Sequence, residues 1–410
     1  MRLKLGIIPL LSVLQDAVKV ENSHYSIISG LKKEFDISFI NPEEADSVDL
    51  PIIFIGSGGT ENYFKDTYSR LSKPVILLTD GMHNSLAASM EILAWIKECG
   101  EDSIILHGNI DEITSQINAN YEIYMAMKRL NETVIGVVGF PSDWLIASSV
   151  DYIDAQKKWG VIFKNIELHE FSQRLEEINI YKAEKMAGDF IDGAASLKEP
   201  NNKDVTEGMK VYLALKELIE DYGLDAITVR CFELLLRHHT TGCLALSYLN
   251  NEDIVSGCEG DCQAVFSMLL LNILTGGKSF MANPAYIDIE KNNIVLAHCT
   301  IPTCLTDSYV IRNHFESHMG VSVQGIMKKG PVTIFKCGGG RLDKYFLASG
   351  ELLENLEDEN MCRTQLKIHL NADTGYFLRN PIANHHILIE GDYVGLIDRF
   401  MQYAGCKRIA

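Results

Sequence analysis

The sequence predicts an α/β protein: two tandem open parallel-sheet α/β domains followed by a β-rich, antiparallel barrel-like C-terminal domain with a closing helix. Three observations predict it. Through the first half, short apolar or β-branched runs alternate with helical stretches, the pattern of parallel strands covered by helices. Residues 196–204 form a polar, Pro/Asn-containing surface connection. Beyond residue 278 short alternating runs separated by turns take over, the pattern of antiparallel sheet or barrel. The expected domains are 1–130, 131–277 and 278–410.

The elements follow in order. Leu5–Leu10 reads as a first strand, then a helix over Ser23–Phe35 and a strand at Ile37–Ile40. Pro51–Ile55 is an apolar run bounded by Gly56-Ser57-Gly58-Gly59-Thr60. Val75–Leu78, a helix over Ser85–Cys99 and a strand at Ser103–Leu106 complete the first series. The second series comprises Val134–Val138, the turn Gly139-Phe140-Pro141-Ser142, a helix and Gly160–Asn165. A helix over Val205–Asp221 carries Met209, Val211, Tyr212, Leu215 and Leu218 on one stripe and stops at Gly223. Ala226–Val229 is a strand and Gln263–Leu274 a helix. Tyr286–Ile289, Ile294–Ala297, Val332–Phe335 and Gln365–Leu370 are the strands of the last region, and Val394–Tyr403 is its helix.

Composition narrows the function. The 410 residues are 47% hydrophobic and 22% charged, enough to bury a large core. Lys and Arg number 37 against 55 Asp and Glu, a formal charge of −18. Such a surplus repels nucleic-acid phosphates and anionic lipid, and no basic patch offsets it beyond pairs such as Lys328-Lys329. Neither a nucleic-acid nor a membrane partner is expected. The N-terminal run is too short for a secretory segment, and Ser267 and Asn272 break the most apolar stretch, Val265–Leu274. Ten scattered cysteines with no export signal fit free thiols in a reducing cytoplasm.

Several motifs carry a plain structural reading beside a chemical one. Gly56-Ser57-Gly58-Gly59 lacks both the GxGxxG spacing and a P-loop ending, so a tight βα turn is the better reading. Cys258-x3-Cys262 and Cys299-x4-Cys304 are spaced more loosely than zinc knuckles, which favours buried free thiols. Cys231 or Cys243 beside His238-His239 lacks a third group to orient a nucleophile. Acidic and imidazole groups are more informative. Glu233 follows a strand at the C-terminal edge of a sheet, where α/β ligand sites form. Glu259-Gly260-Asp261 stands at a helix start, where capping charges are also common. His298 ends an apolar strand, and His385-His386 precedes another.

Taken together, Gly257-Cys-Glu-Gly-Asp261, Cys231-Phe-Glu233, Ala297-His298-Cys299, Cys362-Arg-Thr-Gln365 and Asn384-His385-His386 with Gly391-Asp392 resemble the L-fucose isomerase/L-arabinose isomerase superfamily. Gly139-Phe-Pro-Ser-Asp-Trp-Leu-Ile-Ala-Ser148 is similar to a segment of its smaller members. The resemblance implies two α/β domains and a β-rich domain, with a divalent manganese ion held by two acidic residues and a histidine. By resemblance Glu233 is the first acidic ligand, Glu259 or Asp261 the second, and His385 the histidine, with His386 as the alternative. Trp144, Ser142, His298 and His386 are implied substrate-binding residues. A further histidine ligand of arabinose isomerases has no counterpart here, and the chain is shorter than typical members of either named enzyme.

Such a site holds Mn²⁺ (or Mg²⁺), since carboxylate-rich donors suit hard cations. The implied activity is aldose–ketose interconversion of a monosaccharide by proton transfer between C1 and C2 through a cis-enediol. Glu233 and Glu259 or Asp261 serve as acid and base. The resemblance also implies a homo-oligomer, trimer or hexamer. The alternatives are a sugar-binding or regulatory protein on the same scaffold, or another carbohydrate-modifying metalloenzyme.

Overall fold

The computed structural model describes residues 2–12, 24–71, 74–101 and 103–409. Met1 of the expected N-terminal run and Ser23 of the first expected helix lie outside them. The chain divides into two compact units, 1–128 with 402–405, and 129–401 with 406–410.

The first unit is an open parallel sheet of β1 (Lys4–Leu10), β2 (Asp36–Phe39), β3 (Leu50–Ile55), β4 (Val75–Leu78) and β5 (Ser103–Leu106), in the order β2-β1-β3-β4-β5. Side chains alternate faces along each strand, so the apolar runs feed two cores. Leu5, Ile7, Ile52 and Phe54 meet Ile27, Ile28 and Leu31 of one helix and Ile113, Ile117 and Tyr124 of another. On the opposite face Ile8, Leu10, Ile53 and Ile55 meet Phe64, Ala88, Ile92 and Ile96. Gly56–Thr60 forms the connection from β3 to the helix Glu61–Thr67, as the βα-turn reading expects. The helix Ile110–Asn131 has no counterpart among the expected elements.

The second unit opens with a four-stranded parallel sheet of β6 (Val134–Val138), β7 (Ile162–Ile166), β9 (Ala226–Val229) and β10 (Val255–Cys258), ordered β10-β9-β6-β7; β8 (Ser196–Leu197) lies apart from it. Between β8 and β9 the helix Asn202–Tyr222 begins three residues before the expected start at Val205, because Asn201 and Asp204 form a capping box. It stops at Gly223, whose left-handed φ of +58° suits a helix end.

The antiparallel part contains β11 (Ser279–Asp288), β12 (Asn293–His298), β13 (Ser308–Arg312), β14 (Ser322–Ile326), β15 (Gly330–Gly338), β16 (Lys344–Asn355), β17 (Thr364–Leu370), β18 (His386–Glu390) and β19 (Lys407–Arg408). Six of these run β15-β18-β11-β12-β17-β16, and pairing of β15 with β16 closes them into a barrel. Closure removes the unpaired edges an open sheet would expose. β19 adds to β16, while β13 and β14 join β8 in a small separate sheet. The helix Cys262–Thr275, buried through Leu271, packs against β10, β11, β15 and β18 and so couples the parallel sheet to the barrel. The expected α/β class with a barrel-like C-terminal region is therefore the observed one. No helix among the described residues is long and apolar enough to cross a membrane.

Candidate active site

The site forms where the C-terminal edge of the parallel sheet meets one rim of the barrel. β10 ends at Cys258, and Glu259 and Gly260 then both take left-handed backbone conformations, with φ of +63° and +70°. For glutamate that conformation is strained, and surrounding contacts must hold it. Gly260 N–H donates to Val229 O (3.0 Å), Asp261 N–H to Cys258 O (3.1 Å), and Ser142 N–H to Glu259 O (3.0 Å). A Cβ on Gly260 would lie 2.5 Å from Phe140 O, so this turn also requires glycine sterically. The turn therefore fixes the direction of the Glu259 side chain.

The two histidines come from neighbouring strands of β11. Ala282 pairs with His386 on one side, and Asn283 with Ala297 on the other. This register brings the end of β12 and the start of β18 to the same level of the barrel, and hence His298 and His385 to the same rim. Their rings meet edge to face with centroids 5.6 Å apart. Glu259, His298 and His385 each offer a donor atom within 4.8 Å of the others, the one such group of three or more among the described residues.

Each member is oriented by a partner. Trp144 Nε1–H donates to Glu259 Oε2 (2.6 Å), while Glu259 Oε1 lies 3.5 Å from His385 Nε2. His385 Nδ1 is 2.9 Å from Asp261 Oδ2, leaving its buried Nε2 without a hydrogen-bond partner. His298 Nδ1 is 2.9 Å from Thr300 Oγ1. Behind His385, the fully buried Asp261 caps the following helix through Ala264 N–H (2.8 Å) and lies 3.8 Å from the buried Lys336 ammonium.

The electrostatics follow from this packing. Burial works against ionisation of Glu259, but His385, Trp144 and His298 outweigh it and bring its pKa down to about 2. Asp261 also falls to about 2: Lys336 and His385 overcome burial. Burial disfavours a charged His385, yet the two carboxylates raise it to about 9. Burial and the neighbouring His385 lower His298 to about 4. Lys336 is lowered by burial.

A cavity of about 600 Å³ opens beside the group. Glu259 and His298 line it, with Trp144, Phe232, Asn283, His314 and Asn384 among the other walls. Its size suits a small-molecule ligand.

The structure thus brings Glu259, His298, His385 and Trp144 together. Ser142 is buried and supports the Glu259 turn through its backbone. Asp261 stands behind His385, outside the three-donor group. Glu233, in the first turn of the helix Cys231–His238, lies between Arg230 (3.7 Å) and Arg237 (3.4 Å) and is not brought into the group. His386 sits in an aromatic cage of Phe346, Tyr376 and Phe377, its Nε2 3.1 Å from Tyr376 Oη. The expected donor set has two acidic residues and one histidine, whereas the assembled group has one carboxylate and two histidines. Cys258, Cys262, Cys299 and Cys304 form no four-thiol group, and each of the four is a free thiol.

Sequence reasoning missed Lys336 and His314. A lysine inside the largely apolar run Val332–Cys337 was a readable signal for the first; His314 follows β13 without any local motif.

No family model matches the chain. It is 25% identical over 311 residues to the sulfoquinovose isomerase of Priestia aryabhattai, covering 70% of this chain and 66% of the relative. It is 23% identical over 248 residues to that of Alkalicoccus urumqiensis, covering 57% and 54%. The protein named sulfoquinovose isomerase in Clostridium sp. (strain MSTE9) is 24% identical over 215 residues, covering 52% and 46%. The chain spans about two thirds or less of the length of these curated relatives, and they relate it to sugar isomerases.

Proposed function

We propose that the protein is a metal-dependent aldose–ketose isomerase that moves a proton between C1 and C2 of an open-chain monosaccharide through a cis-enediol. The observation that carries this reading is the convergence of Glu259, His298 and His385 beside a cavity large enough for a small-molecule ligand. The names of the relatives support the reaction class.

The residues fit a divalent cation: a buried Nε2 with no hydrogen-bond partner faces an ionised carboxylate, and a second imidazole stands within reach. One carboxylate with two imidazoles favours Mn²⁺ over Mg²⁺, because imidazole nitrogen is the softer donor. Bound there, the cation would polarise the sugar's O1 and O2. Glu259, His298 and His385 would hold it, and Asp261 would keep the His385 ring in place. Asp261 has no exposed surface, so its part is positioning. Glu259 is proposed as one proton-transfer carboxylate and Glu233, on the strength of the family resemblance, as the other. Trp144, half-exposed on the cavity wall, offers a face for the sugar carbons.

The substrate panel should include sulfoquinovose, because the relatives are named for it, and uncharged aldoses, because no lysine or arginine lines the cavity among the described residues. Turnover followed by NMR in D₂O tests the reaction: deuterium at C2 of the aldose or C1 of the ketose is expected, and product without it points to a hydride shift. A trimer or hexamer is proposed with this reading on the strength of the family resemblance, and light scattering of the purified protein checks it.

A further inference from the structure

Five of the ten cysteines line the cavity: Cys231, Cys243, Cys258, Cys299 and Cys362. The proton-transfer and metal-binding roles above use none of them. Two are chain neighbours of the donor group, Cys258 beside Glu259 and Cys299 beside His298.

The parallel sheet brings one pair into contact. Cys258, the last residue of β10, is in register with Val229, the last residue of β9, and Cys231 follows two residues later as the first residue of its helix. The two sulfurs are 3.0 Å apart, about 1 Å beyond a covalent disulfide bond. Cys231 stands in the first turn of its helix, two residues beyond the sheet, which holds its side chain against Cys258. Both residues line the cavity, which gives a small oxidant a route toward them.

We propose that Cys231 and Cys258 are a modification site: a peroxide-responsive pair that closes into a reversible disulfide and displaces Glu259. The Cys231 sulfur attacks one oxygen of hydrogen peroxide as its proton leaves, the O–O bond breaks, and the departing hydroxide takes up that proton as water. The resulting sulfenic acid is attacked by the Cys258 sulfur, which loses its proton; the S–O bond breaks and a second water leaves. Two thiols and one peroxide thus give one disulfide and two waters, with two electrons passing from sulfur to oxygen. Cys258 is joined directly to Glu259, whose left-handed turn is pinned by Ser142 N–H on the Glu259 carbonyl and by Gly260 N–H on the Val229 carbonyl. Drawing the sulfurs together therefore moves the turn that presents Glu259 to Trp144 and His385.

The test treats the purified full chain with hydrogen peroxide, blocks remaining thiols with N-ethylmaleimide, and maps the peptides by mass spectrometry. A Cys231–Cys258 cross-link, two hydrogens lighter and released by dithiothreitol, is expected. Because Trp144 touches Glu259, its fluorescence, taken as the difference between the parent and Trp144→Phe, should change on oxidation and recover on reduction. Cys231→Ser should show neither effect; the parent map decides the matter if that variant does not fold. No cross-link, a cross-link confined to the Cys243, Cys299 and Cys362 thiols, or a Cys231–Cys258 bond that leaves Trp144 emission unchanged would overturn the proposal. Neither readout uses turnover, so its failure is separable from failure of the isomerase reading.

Discussion

Asp261 holds His385 from behind: its Oδ2 lies 2.9 Å from Nδ1, which turns the opposite nitrogen of the ring toward Glu259. The same carboxylate caps a helix and lies 3.8 Å from the buried Lys336 ammonium. One residue thereby links the parallel sheet, the barrel and the candidate site.

Removing that charge should be costly. Asp261→Asn leaves Lys336 buried without a counter-charge, so unfolding free energy should fall by about 3–5 kcal/mol. Lys336→Met in the same chain should restore part of the loss. Urea unfolding of the two single variants and the double variant measures the coupling; purely additive effects would show that the pair does not interact.

Metal uptake should depend on pH in a defined direction. The His385 pKa is raised to about 9, so at neutral pH the ring carries a proton that the cation must displace. Affinity should rise about tenfold per pH unit from neutrality toward pH 9 and then level off, since one proton is released per ion. His298, lowered to about 4, is already neutral there and adds no second proton. Calorimetry in buffers of different ionisation enthalpy counts the protons, and a count of zero at pH 7 would contradict ligation through His385.

The Glu259 turn should not accept a side chain at the next position. Gly260→Ala places a Cβ against the Phe140 carbonyl in a backbone region that favours glycine, at a cost of about 1–3 kcal/mol. Thermal unfolding shows the destabilisation; an unchanged midpoint would mean that the turn is free to relax.

Trp144→Phe keeps the aromatic wall but removes the 2.6 Å hydrogen bond to Glu259. A bond to a charged acceptor contributes about 1.5–3 kcal/mol, so turnover should fall roughly 10- to 100-fold. Isomerase kinetics with the best sugar of the panel measure this, and unchanged kinetics would remove Trp144 from the site.

The architecture was readable because its strands are continuous apolar runs such as Pro51–Ile55, punctuated by glycine-rich turns, whereas the barrel strands alternate. The helix Ile110–Asn131 carries Ile110, Ile113, Ile117, Tyr121 and Tyr124 at helical spacings of three and four residues on its core face, a legible signal that the expected elements lack. Glu259 and His385 were legible as local motifs, but the pairing of His298 with His385 depends on the register of β11 between β12 and β18, which no local pattern encodes. Glu233 shows the opposite case. Its motif suggests a ligand, while Arg230 and Arg237 at helical spacings of three and four residues supply the ion pairs found in the structure.

The most direct measurement strips the purified protein with a chelator, restores Mn²⁺ in steps, and follows both bound ion and aldose–ketose turnover for the parent, Glu259→Gln and Glu233→Gln. Expected is one ion per chain with turnover rising in proportion, and loss of both in Glu259→Gln. Glu233→Gln should bind the ion yet lose turnover. Turnover indifferent to the chelator, or Glu259→Gln that binds and reacts like the parent, would contradict the assignment.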